Sequence, residues 1–150
     1  MEGLLPLGLM TLLTLTFAVL AIRSDGKIKR LNGLSVAGQP VPGSRIVVAK
    51  SWLNVRAGLL NHVGLPAGTG LWLKGSRTVH TRGMLFPLDL IFLDGGGRVL
   101  AVRANAQPGM SSLKGPAGTA HVLEVAGGTA ASHFGVNKGD LVKLAPLKRA

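Results

Sequence analysis

The chain has 150 residues, no cysteine and a formal net charge of +11, which comes from 17 basic and six acidic residues. This length allows one domain with a modest core and excludes a second catalytic domain. The lack of cysteine excludes disulfides, thiolate nucleophiles and cysteine-ligated zinc. The 22 glycines and eight prolines favour short strands joined by turns over long helices beyond the first segment.

The first predicted element is an apolar helix within residues 1–22, which carry Glu2 as their one charge. As a helix, Gly3–Ile22 is long enough to cross a bilayer. A cleavable signal peptide is the rival interpretation, because Val19 and Ala21 form a small-residue site, but no Lys or Arg precedes the apolar run. The cations directly after it favour an uncleaved single-pass anchor with the domain on the cytoplasmic face. Export to the periplasm or cell envelope is the alternative.

The next segment, residues 23–44, contains Gly, Pro and mixed charges and is predicted to be a linker. One short extended piece is expected within it, around Ile28–Leu34. The domain is then expected over residues 45–146, beginning with the β-branched strand Arg45–Lys50, and residues 147–150 form a basic tail.

A short helix capped by Ser51 is predicted next, with Arg56 projecting from it. The remaining elements follow from alternating apolar runs between turn residues. They are a strand at Gly70–Gly75, a hairpin over PLDLIFLD and RVLAV that turns at Asp94–Gly97, a strand at Ala120–Ala126, a short helix or turn within Gly127–Gly135, a turn at Asn137–Asp140 and a last strand, LVKL.

Several of these segments, in this order, resemble the bacterial and archaeal family called domain of unknown function 192. The resemblance covers residues 46–144 and is carried by short motifs. These are Arg56 with AGLL, VHTRGM at 79–84, PLDLIFLD at 87–94, GRVLAV, HVLEVAGG at 121–128 and GVNKGDLV.

The resemblance implies a compact, mainly antiparallel β domain with small helices, and it implies no established activity. We therefore expect a mainly β (α+β) fold, a β-barrel-like domain with one or two short helices. The segment LKGSRT, before VHT, departs from relatives that carry a Pro followed by Cys or another small residue. Any thiol-based role imagined for the family is excluded here.

Asp89 is the most informative single residue of the predicted hairpin. In an extended strand it points to the same face as Ile91 and Leu93, so a carboxylate is directed at an apolar side. Such a group needs hydrogen bonds or a cation, and Arg56, the Thr81 hydroxyl and backbone amides are the candidates. A structural role that fixes the sheet is favoured over catalysis.

Histidines and one glutamate are the other candidates for chemistry. His80 is a candidate general base or ligand, although a satisfied loop histidine is the favoured interpretation. His121 and Glu124 have a metal-pair spacing only on a helix, and in the predicted strand they face opposite sides. His62 and His133 have no partner at ligand spacing, so no metal centre and no cofactor is predicted.

These patterns favour a membrane-tethered, non-enzymatic accessory domain that presents the loops around His80 and Ser111 to a protein or small ligand. Its partners are expected to be the membrane, an unidentified protein or small molecule, and anionic lipid headgroups. Nucleic acid is not favoured, because cations are dispersed and aromatic residues are few. The candidate ligand-binding residues are Arg56, His80, Thr81, Met84, Asp89 and Glu124.

The alternative is a small hydrolase or isomerase that acts on an anionic substrate. In it, His80 is the base, Asp89 the acid or the orienting group, and Arg56 holds the substrate. This function requires the three side chains to converge on one pocket.

Overall fold

The computed structural model of the protein describes residues 31–49 and 64–147. Within this part of the chain there are nine strands and one short helix. In chain order they are β1 (Leu31–Val36), β2 (Gln39–Ala49), β3 (Thr69–Lys74), β4 (Thr78–Val79), β5 (Leu88–Leu93), β6 (Val99–Ala106), β7 (Leu113–Lys114), β8 (His121–Ala126), α1 (Thr129–Ser132) and β9 (Val142–Pro146).

Seven strands form one sheet in the order β6-β5-β8-β3-β2-β1-β9, and β4 pairs with β7 in a separate two-stranded sheet. All neighbours in the large sheet are antiparallel except β2 and β3, which pair in parallel from Arg45↔Thr69 to Ala49↔Leu73. A parallel pair needs a crossover between its strands, and residues 50–68 make that connection.

The mainly β prediction is confirmed, but the barrel-like part of it is wrong because the sheet does not close. Its edge strands β6 and β9 share no ladder, and their starts meet at a single antiparallel bridge between Arg98 and Leu141. The backbone N–H of Val99 donates to the Asp140 carbonyl at 2.9 Å beside this bridge. The sheet is therefore open and curved, with its two ends touching at one corner.

The predicted linker, residues 23–44, is wrong for residues 31–44, and its first part, residues 23–30, lies outside the described residues. Residues 31–44 form β1 and the first part of β2, a hairpin that turns at Ala37 and Gly38, both with positive φ. The register of this hairpin shifts between Asn32 and Leu34, where the buried Ser44 hydroxyl accepts the Leu34 N–H at 2.8 Å. This hydroxyl satisfies a buried amide that the irregular ladder leaves unpaired.

The large sheet buries side chains on both of its faces, which we call the first face and the second face. On the first face, Leu71, Leu90 and Val122 pack beneath Val79, Met84, Phe86 and Leu113 from β4, β7 and the adjoining loop. On the second face, Ile91, Leu123 and Val125 pack against Ala130, Phe134 and Val136 from α1 and the segment after it.

Most local predictions within the described residues are confirmed. The hairpin turns between β5 and β6 at the expected Asp94–Gly97, β3 and β8 match the predicted strands, and α1 lies in the segment predicted as a short helix or turn. The predicted N-terminal helix and the helix beginning at Ser51 lie outside the described residues.

Candidate functional site

Asp89 lies near the start of β5, the second strand from the β6 edge of the large sheet, and is 1% exposed. Strand alternation places its side chain on the second face with Ile91 and Leu93, as the sequence predicted. Its Oδ1 accepts the backbone N–H of Asn105 at 2.7 Å and that of Gly128 at 2.9 Å. Its Oδ2 accepts the backbone N–H of Ala130 at 2.9 Å.

These three hydrogen bonds connect β5 to the end of β6 and to the start of α1. Two of the donors, Gly128 and Ala130, belong to the first turn of α1, whose N–H groups have no partner within the helix. Gly128 has no side chain that could accept these N–H groups. The Asp89 carboxylate, which lies on β5, caps the helix instead. Of the partners proposed from the sequence, backbone amides bind Asp89, the Thr81 hydroxyl bonds elsewhere, and Arg56 lies outside the described residues.

Thr81 is fully buried and joins two loops that the sequence predicted as a binding surface. Its hydroxyl donates to the Gln107 carbonyl at 2.6 Å and accepts the Met110 N–H at 3.0 Å. Its backbone N–H donates to the Met110 carbonyl at 2.9 Å, and its carbonyl accepts the Gly109 N–H at 2.9 Å. We call residues 80–85 and 107–112, joined in this way, the Thr81 loop pair.

The other predicted site residues have separate places in the fold. His80 is half-buried between Val79 and Thr81, both buried, and Met84 packs in the first-face core with 4% exposure. Glu124 is 1% exposed and lies between Leu71 of β3 and Leu90 of β5 in the sheet register. Strand alternation directs Glu124 to the first face, on the side of Val122.

The segment that carries His80 and the Asp89 carboxylate lie on opposite faces of the sheet. Val79 and Met84, on either side of His80, pack on the first face, whereas Asp89 points to the second. The structure therefore does not bring His80 and Asp89 to one pocket. Arg56, the third member of the proposed catalytic set, lies outside the described residues.

The fold places two cations on the β4–β7 pair and two at the Thr81 loop pair itself, which the dispersed basic residues of the sequence did not predict. Arg82 lies exposed within the loop pair, and Arg103 Nη2 is 3.9 Å from the Met110 sulfur. Arg77 and Lys114 come from the adjacent β4–β7 pair, where the Gly115 N–H donates to the Arg77 carbonyl at 2.9 Å. No acidic residue occurs at positions 77–86 or 103–116.

Leu85 also belongs to this surface and is 62% exposed. Among the described residues, the other large apolar side chain classed as exposed is Leu147, at 44%. The sequence signal for Leu85 was weak, because MLF reads as an ordinary apolar run, and only the fold shows that its middle residue points outward while Met84 and Phe86 are buried.

A second feature, at the other end of the β5–β6 hairpin, is a cleft of about 270 Å³. Trp72 and His121 lie in it with ring centroids 5.7 Å apart, and Nδ1 of His121 accepts the Gly75 N–H at 3.1 Å. Burial lowers the pKa of His121 below its ordinary value, and the nearby Lys74 charge lowers it further. The pKa of Asp94 is also lowered, chiefly by the Arg98 N–H that its carboxylate accepts.

No helix within residues 31–49 and 64–147 is long and apolar enough to cross a membrane. In the same part of the chain, no three His, Cys, Asp or Glu side chains are grouped so that they can hold a metal ion.

Two solved structures are similar to this one. The first is a protein of unknown function from Novosphingobium aromaticivorans, with a TM-score of 0.64 and 26% identity over 79% of this chain and 89% of that one. The second, from Sinorhizobium meliloti, is described provisionally as a transcription regulator, with a TM-score of 0.63 and 22% identity over 79% of this chain and 95% of that one. At 22% identity this second likeness shows the fold alone.

The sequence comparisons agree with the fold. No curated protein matches the chain. The family model of domain of unknown function 192, described as an uncharacterized ACR, matches residues 34–144, and these include β1 from Leu34, the Asp89 strand, the Thr81 loop pair and α1. The chain therefore belongs to the domain of unknown function 192 family.

Proposed function

We propose that the domain is a non-enzymatic accessory module that binds a protein or a small anionic ligand with the Thr81 loop pair. The observation that carries this proposal is the set of four hydrogen bonds by which the buried Thr81 fixes the two loops to each other. Loops held in one conformation lose little entropy on binding, and preorganisation of this kind raises affinity without new contacts.

The charge around the loop pair supports an anionic ligand. Arg82 and Arg103 lie at the loop pair, Arg77 and Lys114 lie on the adjoining β4–β7 pair, and no acidic residue occurs in the two segments that carry them. Such a field attracts anions and accelerates their association. Among the described acidic residues, Asp89 and Glu124 are buried, and Asp94 and Asp140 lie in turns at the opposite end of β6 from the loop pair.

The hydrolase or isomerase alternative has less support, because its acid is already occupied. Both Asp89 oxygens accept backbone N–H groups, so the carboxylate is engaged in hydrogen bonds that hold the fold. The carboxylate also faces away from the segment that carries His80. The role of Asp89 in this proposal is to hold β6 and α1 in place.

The proposal includes a membrane tether formed by residues 1–22, with the domain on the cytoplasmic face. It is supported by the sequence, in which an uncharged run of bilayer length is followed by Arg23, Lys27, Lys29 and Arg30. A tether of this kind keeps the module beside the membrane and raises its effective concentration for any partner there.

Site-specific photocrosslinking in living cells tests the proposal. A photoreactive residue replaces Ser112 in the full-length chain, and in a control chain it replaces Lys138. These positions lie at opposite ends of β6, because Gly139 bonds to Val99 at its start whereas Ser112 follows the loop after Ala106. We expect discrete light-dependent adducts from Ser112 and none from Lys138.

A second pair of variants tests the loop contact itself. Thr81→Val removes the hydroxyl that joins the loops and is expected to weaken the Ser112 adducts, whereas Thr81→Ser keeps the hydroxyl and preserves them. Equal labelling from Ser112 and Lys138 would contradict the proposal. So would an Asp89→Asn variant that is as stable as the parent and has lost a turnover activity.

A further inference from the structure

Leu85 is 62% exposed and has cations near it in the chain and in the fold. Arg82 precedes it by three residues in the same loop. The Thr81 hydrogen bonds place this loop against Met110, and Met110 contacts Arg103. We call the surface formed by Leu85, Arg82 and Arg103 the basic tip, and the cations Arg77 and Lys114 lie on the neighbouring β4–β7 pair.

We propose that the basic tip docks on the surface of an anionic lipid bilayer, with Leu85 inserted at the headgroup boundary and the cations against lipid phosphates and carboxylates. This inference rests on the proposed function and names the partner of the same loops. Apolar side chains enter the boundary between headgroups and acyl chains, and each nearby Lys or Arg adds to attraction by anionic lipid.

Nucleic acid, the other polyanion that a basic surface attracts, fits the basic tip less well. Proteins that bind single strands stack bases on exposed aromatic rings. In the described part of the chain every Trp and Phe is buried, with exposures of 7% for Trp72, 7% for Phe86, 3% for Phe92 and 3% for Phe134. A stacking platform is therefore lacking there, whereas an exposed leucine suits lipid.

A protein partner also fits less well. Stable protein interfaces bury about 800 Å² on each side around an apolar centre from which charged residues are depleted. The basic tip offers one large apolar side chain, Leu85, with Arg82 and Arg103 beside it. Docking on a bilayer needs a smaller contact area, because a tether through residues 1–22 would already hold the domain within reach of the headgroups.

The lack of cysteine makes the proposal easy to test by single-site labelling of the full-length chain. The Leu85→Cys variant carries an environment-sensitive bimane label and is reconstituted into nanodiscs of phosphatidylcholine, with or without about 30% phosphatidylserine. Brominated lipids quench the label only when it enters the bilayer. We expect strong quenching in the anionic discs that falls as salt is raised, and weak quenching in neutral discs.

Two controls separate docking at the basic tip from the general positive charge of the chain. A label at Lys138→Cys, on the turn before β9, is expected to stay unquenched in both kinds of disc. In the Leu85→Cys chain, Arg82→Gln with Arg103→Gln should lower the ratio of docked to undocked domain about tenfold or more. The matched pair Lys138→Gln with Lys143→Gln removes the same charge and should leave this ratio unchanged.

Each result decides the proposal. Quenching at Leu85→Cys that depends on anionic lipid and on Arg82 and Arg103 supports it. A label that stays unquenched in anionic discs overturns it, as does quenching that the two charge pairs reduce equally. If lipid quenching is absent while Ser112 still crosslinks to a protein in cells, lipid docking is wrong and the binding module stands. If both signals are absent, both proposals fail.

Discussion

Asp89 is a buried carboxylate, and its three hydrogen bonds in the structure are all accepted from backbone N–H groups. Replacement by Asn keeps the shape but supplies one acceptor oxygen and an NH₂ group. Whichever way the amide turns, a donor then faces a backbone N–H of Asn105, Gly128 or Ala130. A buried donor without an acceptor costs about 1–3 kcal/mol, and the loss of a charged acceptor adds to this.

We therefore predict that Asp89→Asn lowers the free energy of unfolding by about 2–4 kcal/mol. Urea denaturation followed by circular dichroism measures it. Asp140→Asn is the matched control, because the Asp140 carboxylate accepts the Asn137 N–H in an exposed turn that an amide oxygen can serve equally. An equal loss from both variants would show that burial of Asp89 is not what makes it important.

The sequence predicted the face of Asp89 and the kind of partner it needs, but not which amides bind it. Strand alternation in PLDLIFLD is a local property, so the direction of the side chain followed from spacing alone. The donors lie 16, 39 and 41 residues further along the chain and are brought to it by the packing of β6 and α1. No local pattern contains that information.

His121 offers a pH-dependent test at the same scale. Its pKa is lowered by burial first and by the Lys74 charge second, so the fold favours the neutral ring. As the pH falls below about 6.5, the unfolded chain takes up this proton before the folded one does. The contribution of His121 to stability is therefore complete above about pH 6.5 and is lost as the pH falls toward the folded-state pKa.

An NMR titration of the His121 ring should give a midpoint below about 6.5. Lys74→Gln should move that midpoint upward, because it removes a positive charge that disfavours the imidazolium. Lys138→Gln removes an equal charge that does not act on this ring and should leave the midpoint in place. If the midpoint is the same in Lys74→Gln as in the parent, burial alone lowers the pKa of His121.

At the scale of elements, hairpins are what the sequence predicts best, because a strand and its turn are adjacent in the chain. The β5–β6 hairpin was predicted because Asp94–Gly97 supplies turn residues between two apolar runs. Aspartate stabilises turns by accepting nearby backbone N–H groups. Here the Asp94 carboxylate accepts the N–H groups of Gly96 and Arg98, each at 2.9 Å.

The first half of β2 was missed for a physical reason. Pro40, Pro42 and Gly43 interrupt it, and such residues normally indicate a linker. They are tolerated because the β3 ladder begins only at Arg45, so this half of β2 has a neighbour on one side alone. A proline on such an edge withholds no hydrogen bond from a second strand. Whether part of a strand lies at an edge depends on the assembled sheet, so the local sequence could not predict that these residues form a strand.

The whole molecule differs from the predicted barrel in how its ends meet. A closed barrel would pair β6 with β9 along their length, but here the contact is one corner built around the β5–β6 turn. Val142 donates its N–H to the Gly97 carbonyl at 2.8 Å, next to the bridge between Arg98 and Leu141. The turn therefore ends one hairpin and also holds the last strand against the rest of the sheet.

Gly97 is the residue on which this corner depends. Its φ is 91°, a value that residues with a side chain rarely adopt, and a Cβ there would lie 2.3 Å from the Val142 carbonyl oxygen. Gly97→Ala should therefore both strain the turn and separate β9 from the hairpin. We expect the free energy of unfolding to fall by about 2 kcal/mol or more.

Gly95→Ala is the control, because a Cβ at that position meets nothing within 4 Å. It should change stability far less, although it alters the same turn. Amide hydrogen exchange gives the sharper measurement. If the corner holds the ends of the sheet together, Gly97→Ala should speed exchange at Val142 and Val99 more than at Leu123 in the sheet centre. Uniform acceleration would instead show that the sheet opens as one unit and that the corner has no separate role.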